Sequence, residues 1–271
     1  MLYNVEKEKQ GGKAVVAKER QMRICDLLTA ENAVRIADLA EMFQVTAETI
    51  RRDLMVLEKA GLLQRTHGGA LSLARMAHIK DYTQRQGEAQ EQKRALAACA
   101  AAHIQEEDTV LIDAGTTALA LARLLPGRFR RLTVATYSLD VAQALKDAPG
   151  IDMILCGGYY LGAENACWGD FALDTLRRLH ADKAFLCPSC VSLAGGITDY
   201  LYELLPLQRA YLQGADRVFI LADSSKFEKT ARLQITPLAA DYPLITDDSL
   251  PEEIFTLYQE KGLQIIRGSA Q

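Results

Sequence analysis

No stretch of this 271-residue sequence comes near the ~18 uncharged apolar residues of a membrane span. The first twenty residues, MLYNVEKEKQGGKAVVAKER, mix both charge signs and hold no apolar core, so they do not read as a secretory leader. The six cysteines (Cys25, Cys99, Cys156, Cys167, Cys187 and Cys190) are scattered through a mid-sized chain and form no disulfide framework. Reduced thiols and a cytoplasmic location are the expectation. A single C-x-x-C, Cys187 to Cys190, has no second C-x-x-C or H-x-x-x-H to complete a four-ligand zinc site. There is no internal repeat, and neither a cofactor nor a metal is expected.

What is present is ordinary in amount and uneven in placement. Hydrophobic content of 49% and charged content of 24% are those of a globular protein, and the length suits about two domains. Residues 1–80 hold 13 Lys and Arg against 10 Asp and Glu, a net of +3. Of the totals of 31 and 35, that leaves 18 against 25 for the rest, a net of −7. A basic front and an acidic back suggest that only the front meets a polyanion.

Residues 1–17, with Gly11-Gly12 and no periodicity, read as a disordered tail. From Lys18 the pattern is helical: Met22, Ile24, Leu27 and Leu28, then Ile36, Leu39, Ala40 and Phe43 in VRIADLAEMF. After a short break, Thr46 suits an N-cap, Glu48 the first helical turn, and Ile50, Leu54 and Leu57 an i, i+4, i+7 stripe ending near Gly61. LLQRTHGGALSL then reads as a hairpin about His67-Gly68-Gly69. Three helices and a hairpin over residues 18–73 predict a winged helix-turn-helix.

On a helical wheel of about 100° per residue with Ile50 at zero, the apolar stripe centres at ~10°. Arg52 then falls at ~200°, Lys59 at ~180°, Glu48 at ~160° and Arg51 at ~100°. Arg52 points away from the core, where the second helix of such a motif enters the major groove. A guanidinium there pairs bidentately with guanine or phosphate. The plainer alternative is a pair of solvated arginines held by Asp53, Glu48 or Glu58.

The run LAEMFQVTAETIRRDLMVLEKAGLLQRTHGGA, Leu39 to Ala70, resembles the DNA-binding signature of the DeoR family of bacterial transcriptional regulators. The matching pieces are LAEMF, TIRRDL, LEKAGLL and RTHGGA. The resemblance implies that Thr46, Ala47, Glu48, Thr49, Arg51 and Arg52 face double-stranded operator DNA, with Arg65 and His67 on the wing. It implies a repressor of carbohydrate genes, not an enzyme, working as a homodimer or higher homo-oligomer.

Residues 74–93 are polar and poorly patterned and read as a linker. From residue 94 to 271, seven short apolar runs (TVLIDA, LTVAT, DMILC, KAFLC, RVFILA, PLIT and LQIIR) alternate with helical stretches at 117–125, 138–147, 170–180, 203–214 and 251–261. That alternation predicts a parallel-rich α/β domain, whose ligands bind at the carboxyl ends of strands. Those ends carry Asp113 with Gly115, Thr116 and Thr117; Thr136, Tyr137 and Ser138; Gly157 and Gly158; and Asp223, Ser225 and Lys226. Together they suit an anion pocket with Lys226 as phosphate partner. Alone, D-x-G-T-T is equally a simple βα turn.

These pieces also resemble the family, whose C-terminal domain is related to ribose-phosphate isomerase and CoA-transferase folds and binds phosphorylated sugars. LIDAGTT, CGG, ADKAFL and LADSSKF carry that resemblance. The chain departs from it in having Tyr137 in T-Y-S for the usual asparagine, CPSC after AFL, and Pro206 and Gln208 in ELLPLQRAYL, with Glu203 offset by one residue. An unusual or weakly bound effector is therefore expected. Two further readings stay open. One is a sugar-phosphate isomerase using a carboxylate such as Asp113, Asp199 or Glu203. The other is a redox response at Cys187 and Cys190, or a metal there completed by Cys156, Cys167 or His180. Trp168 suits packing or a pocket wall.

Overall fold

The computed structural model describes residues 17–31, 33–59, 62–66, 68–72 and 82–268. The expected tail lies outside the described residues except for Ala17, which opens the first helix, and Gly61 and His67 lie outside them too. The chain divides into two compact units, Met1–Lys80 and Asp81–Gln271.

In the first unit α1 (Ala17–Glu31), β1 (Ala33–Arg35), α2 (Ile36–Phe43), α3 (Ala47–Lys59), β2 (Leu63–Thr66) and β3 (Gly69–Ser72) follow one another. Ile24, Leu28, Leu39, Phe43, Ile50, Leu54 and Leu57 form the core, so the stripe read on the third helix is the buried one. Met22, grouped with the apolar positions of α1, is instead exposed. Between α2 and α3, Gln44 turns left-handed at φ 52°, and the Val45 N–H returns to the Ala40 carbonyl at 3.1 Å. Thr46 Oγ1 accepts from the Thr49 N–H at 3.2 Å, the N-cap its position suggested.

Val34 and Arg35, read as the start of the second helix, are strand. β1 pairs antiparallel with β3, which pairs antiparallel with β2, so the wing has three strands where a hairpin was expected. Gly69 makes this possible. A Cβ there would stand 1.8 Å from the Val34 carbonyl oxygen, so β1 and β3 close only on glycine.

The second unit begins inside the expected linker, with α4 (Tyr82–Gly87) and α5 (Gln90–Ala101). α4 buries none of its residues, so no periodicity marks it. It is held instead by Tyr82 donating to Asp140 and Arg85 donating to Glu164, 58 and 79 residues away. The rest of the unit runs β4 (Thr109–Ile112), α6 (Thr116–Ala122), β5 (Leu132–Thr136), α7 (Leu139–Leu145), β6 (Ile151–Leu155), β7 (Tyr159–Leu161), β8 (Ala166–Trp168), α8 (Asp170–Arg177), β9 (Ala181–Leu186), β10 (Cys190–Ser192), β11 (Gly196–Asp199), α9 (Leu205–Gln213), β12 (Ala215–Leu221), β13 (Leu233–Thr236), β14 (Leu244–Asp247), α10 (Glu252–Glu260) and β15 (Ile265–Gly268).

The seven apolar runs form one sheet, in the order β15-β14-β12-β9-β4-β5-β6, with every neighbouring pair parallel. Successive residues take opposite faces. Val110, Ile112, Phe185 and Phe219 join Leu96, Ala118 and Val141 of α5, α6 and α7. Leu111, Ala184, Leu186 and Ile220 join Ala172, Leu207 and Tyr258 of α8, α9 and α10. Burial on both faces is what makes these strands read as continuous apolar runs. The chain winds from β4 outward to β6 on one side and from β9 outward to β15 on the other, so the order reverses between β4 and β9. The hairpin of β7 and β8 and the antiparallel sheet β10-β11-β13 were not foreseen. Their strands of three or four residues are too short to show a period.

Candidate functional site

Two groups of polar residues stand out, one in each unit. In the first, the Arg51 and Arg52 side chains are 55% and 78% exposed and share Glu48, at 3.4 and 3.9 Å. Ion pairs this open contribute roughly 0–1 kcal/mol, so either guanidinium can exchange Glu48 for a phosphate or a base edge. Ala47 and Thr49 beside them are half-buried, and the Thr46 and Thr49 hydroxyls lie 2.9 Å apart. Asp53, considered as a partner of the arginines, faces the other way. It is buried, binds Arg20 Nε at 2.5 Å and accepts from Gln21 at 2.9 Å, which ties α1 to the back of α3.

Arg65 is engaged within its own unit. Its N–H reaches Glu58 Oε1 at 2.9 Å and its Nε reaches Oε2 at 2.7 Å. These bonds hold the Glu58 carboxyl below its ordinary range. In the free protein, Arg65 therefore braces the wing against the end of α3.

In the second unit the strand ends do gather at the reversal of the sheet, but in two layers. The lower layer is closed. Asp113 is 1% exposed and both its oxygens are taken: Oδ1 by the Tyr137 hydroxyl and the Ala114 N–H, Oδ2 by the Cys187 N–H at 2.8 Å. Asp113 thus laces the end of β4 to the end of β9. Burial, the largest cause, pushes its carboxyl up to about 7 against the pull of these three donors. Tyr137 is fully buried, with its ring 5.5 Å from that of Tyr211. Thr136 Oγ1 accepts from the Ser138 N–H, and Ser138 Oγ caps α7 through the Val141 N–H. Four residues expected to face a ligand are instead buried and engaged, and form a closed floor at these strand ends.

Above the floor, Gly115 turns at φ 103° and Thr116 is half-buried, with Thr117 behind it. Gly157 and Gly158 are exposed after β6. A Cβ on Gly158 would meet the Trp168 carbonyl oxygen at 2.3 Å, so this glycine serves the β7–β8 hairpin. Trp168 lies between the rings of Tyr159 and Tyr202, at 5.8 and 6.4 Å. After β12, Asp223 accepts from the Ser225 N–H at 3.0 Å and from its hydroxyl, shaping a turn that presents Lys226.

Lys226 is half-buried, and its ammonium makes no hydrogen bond or ion pair among the described residues. It is close enough to bias the titration of Lys93, Glu164 and Cys190. Burial, the largest cause, draws the Lys93 ammonium below its ordinary range; Asp223 opposes this, and Lys226 and Arg85 add to it. Burial lifts the Glu164 carboxyl, and Arg85 pulls it back. Arg85 and Lys226 thus put two cations near the buried Glu164 carboxylate, and Lys93 lies near both of them. Arg85, Lys93 and Glu164 were missed because two of them fell in the expected linker. One signal was available: Lys93 shares a helical face with Leu96, Ala97 and Ala100, all buried.

The departures from the family pattern also find places. Gln208 Nε2 donates to Asp199 Oδ2 at 2.8 Å, and its Oε1 is buried without a partner among the described residues. Pro206 sits in the first turn of α9, where no helical N–H is lost, and does not interrupt it. Burial raises the Cys187 and Cys190 thiols, which keeps both protonated at neutral pH and disfavours the redox reading. Among the described residues, no group of three or more His, Cys, Asp or Glu could hold a metal ion. None of their helices is long and apolar enough to cross a membrane.

Residues 20–76 match the DeoR-like helix-turn-helix domain, and residues 88–248 match the DeoR C terminal sensor domain. The chain belongs to the DeoR family. It is a DNA-binding transcriptional regulator with a C-terminal sensor. Among its relatives is the HTH-type transcriptional regulator GolR of Listeria innocua, 32% identical over 91% of this chain and 97% of that protein. The transcriptional repressor AccR of Agrobacterium fabrum is 35% identical over 90% and 94%. The putative aga operon transcriptional repressor of Escherichia coli O157:H7 is 28% identical over 92% and 93%. Among solved structures, ribose 5-phosphate isomerase A of Methanocaldococcus jannaschii is 16% identical over 50% of this chain and 53% of that one, with a TM-score of 0.37.

Proposed function

We propose that this DeoR-family protein is a cytoplasmic repressor of carbohydrate-metabolism genes. Its proposed controller is a phosphorylated sugar bound at the carboxyl ends of β4, β9 and β12. The observation that carries the reading is Lys226, a half-buried residue whose ammonium makes no hydrogen bond or ion pair among the described residues, near a buried Lys93 whose ammonium is drawn down first by burial and then by Lys226 and Arg85. A phosphate dianion offsets that concentration of positive charge. The L-fucose operon activator of Haemophilus influenzae, 30% identical over 87% of this chain and 94% of that protein, supports a carbohydrate setting. The effector acts by binding more tightly to one of two states that differ in affinity for DNA. A head of this kind reads repeated half-sites, which calls for a homo-oligomer.

The isomerase alternative needs an accessible base beside the phosphate. Asp113 suits that poorly, since it is buried with both oxygens engaged. Thermal-shift titration of the full chain with ribose, fructose and glucose phosphates, the free sugars and inorganic phosphate tests the reading. At least one phosphorylated sugar should raise the melting temperature and change operator retention on a gel, and Lys226→Ala should abolish both effects. Stabilisation by the unphosphorylated sugar alone, or undiminished in Lys226→Ala, would remove the phosphate from the proposal. Turnover of a sugar phosphate that disappears in Asp113→Asn would replace regulator control with catalysis.

A further inference from the structure

The recognition face of α3 carries two side chains that neither charge nor core explains. Met55 and Val56 are 40% and 52% exposed. On the wheel that places Arg52 at ~200° and Lys59 at ~180°, Met55 falls at ~140° and Val56 at ~240°. The outward face is therefore a row of Glu48, Lys59 and Arg52, net basic, with an apolar side chain on each flank. Arg52 is three residues from Met55 and four from Val56, spacings that make helical neighbours. Among the other described residues of this unit, the exposed large apolar ones are Met22 on α1, Met42 on α2 and Leu62 between α3 and β2. Isolated ones need no explanation, but a pair framing the basic row of a DNA-reading helix does.

In the major groove the apolar feature available for contact is the C5-methyl of thymine. We infer that Val56, with Met55 beside it, reads thymine methyl groups, so that the operator half-site places a thymine about two base pairs from the base or phosphate taken by Arg52. This deepens the DNA-binding assignment and depends on it. Charge complementarity selects the occupant: Arg52 and Lys59 on the same face draw in a polyanion and disfavour an apolar protein partner.

The test uses the full chain and a duplex selected by it from a randomised library. Each thymine of the recovered half-site is replaced singly by deoxyuridine, which removes only the methyl. For the wild type, at least one replacement should weaken binding about fourfold, the effect of one buried methylene-sized contact. Val56→Ala should bind the parent duplex comparably more weakly and no longer distinguish thymine from uracil at that position. Its salt dependence should be unchanged, because no phosphate contact is lost. The inference is overturned if no uracil substitution weakens the wild type. It is equally overturned if Val56→Ala and Met55→Ala both keep full methyl sensitivity, or if Val56→Ala changes the salt slope or the oligomeric state instead. If no duplex is enriched, the DNA-binding assignment itself fails and takes the inference with it.

Discussion

The two units of this protein handle charge in opposite ways. In the DNA-binding head Arg51 and Arg52 are on the outside, 55% and 78% exposed and loosely shared by Glu48. The buried pair Arg20–Asp53 sits behind them as a brace. In the sensor the polar residues of the site are inside: Lys93, Asp113, Glu164, Asp199 and Asp223 are all buried. The contrast follows from the partners proposed for the two units. A duplex is read by side chains on a rigid surface that exchange small ion pairs for phosphates. A small anion has to be recognised in a place where water does not compete, so its recognition groups must be held against their own desolvation.

The sharpest way to break the comparison is to attack a place where the head behaves like the sensor. Asp53→Ala leaves Arg20 buried without the carboxylate it binds at 2.5 Å. Removing one partner of a buried pair costs roughly 3–5 kcal/mol, comparable to the whole stability of a unit this small. Hydrogen exchange should show the amides of α1 and α3 losing most of their protection, while β4 and β9 keep theirs. Unchanged protection in α1 would mean that the pair is not what locks the helices.

Arg52→Ala attacks the opposite kind of charge. Its removal should weaken specific operator binding by about 1–3 kcal/mol, yet alter stability by no more than about 0.5 kcal/mol, as for an exposed position whose ion-pair partner, Glu48, is itself exposed. Filter binding and urea unfolding measure the two. A variant that binds normally would end the assignment of Arg52 as a reader, and one that unfolds would make it a brace like Arg20.

The same contrast explains what could be read from the sequence. The head was legible because its function is written in local order: an N-cap at Thr46, a stripe through Ile50, Leu54 and Leu57, and the arginines on the opposite side. Its error, the strand at Val34, came from pairing with β3, 36 residues away. The seven core strands of the sensor were legible because strands covered on both faces are continuously apolar. The candidate site was legible only as a list of strand ends. Which of them stay open depends on hydrogen bonds across the sheet, such as Cys187 to Asp113, and on α4, whose fold rests on Asp140 and Glu164. No local pattern announces those, so the burial of Tyr137 and Ser138 could not be read, and Arg85 and Lys93 fell in the expected linker.

Tyr137→Phe makes the smallest change and tests the floor of the sensor most directly. The phenol donates to Asp113, which keeps two backbone N–H donors when the hydroxyl is gone. The loss should be about 1 kcal/mol at neutral pH. Its pH dependence carries more information than its size. The Asp113 carboxyl is lifted from 3.8 to about 7 on folding, chiefly by burial. Between those values the folded state holds a proton that the unfolded state has released, so this group's contribution to stability is full below about pH 4 and is lost as the pH rises toward 7. The Tyr137 hydroxyl favours the ionised form, so removing it raises the folded value further and extends the loss upward. In urea unfolding between pH 4 and pH 8, the gap between wild type and Tyr137→Phe should therefore widen as the pH rises. A gap that stays constant would make the phenol a packing group only. One that narrows would show that the hydrogen bond stabilises the protonated acid, and the floor of the site would be neutral where the geometry makes it a carboxylate held by three donors.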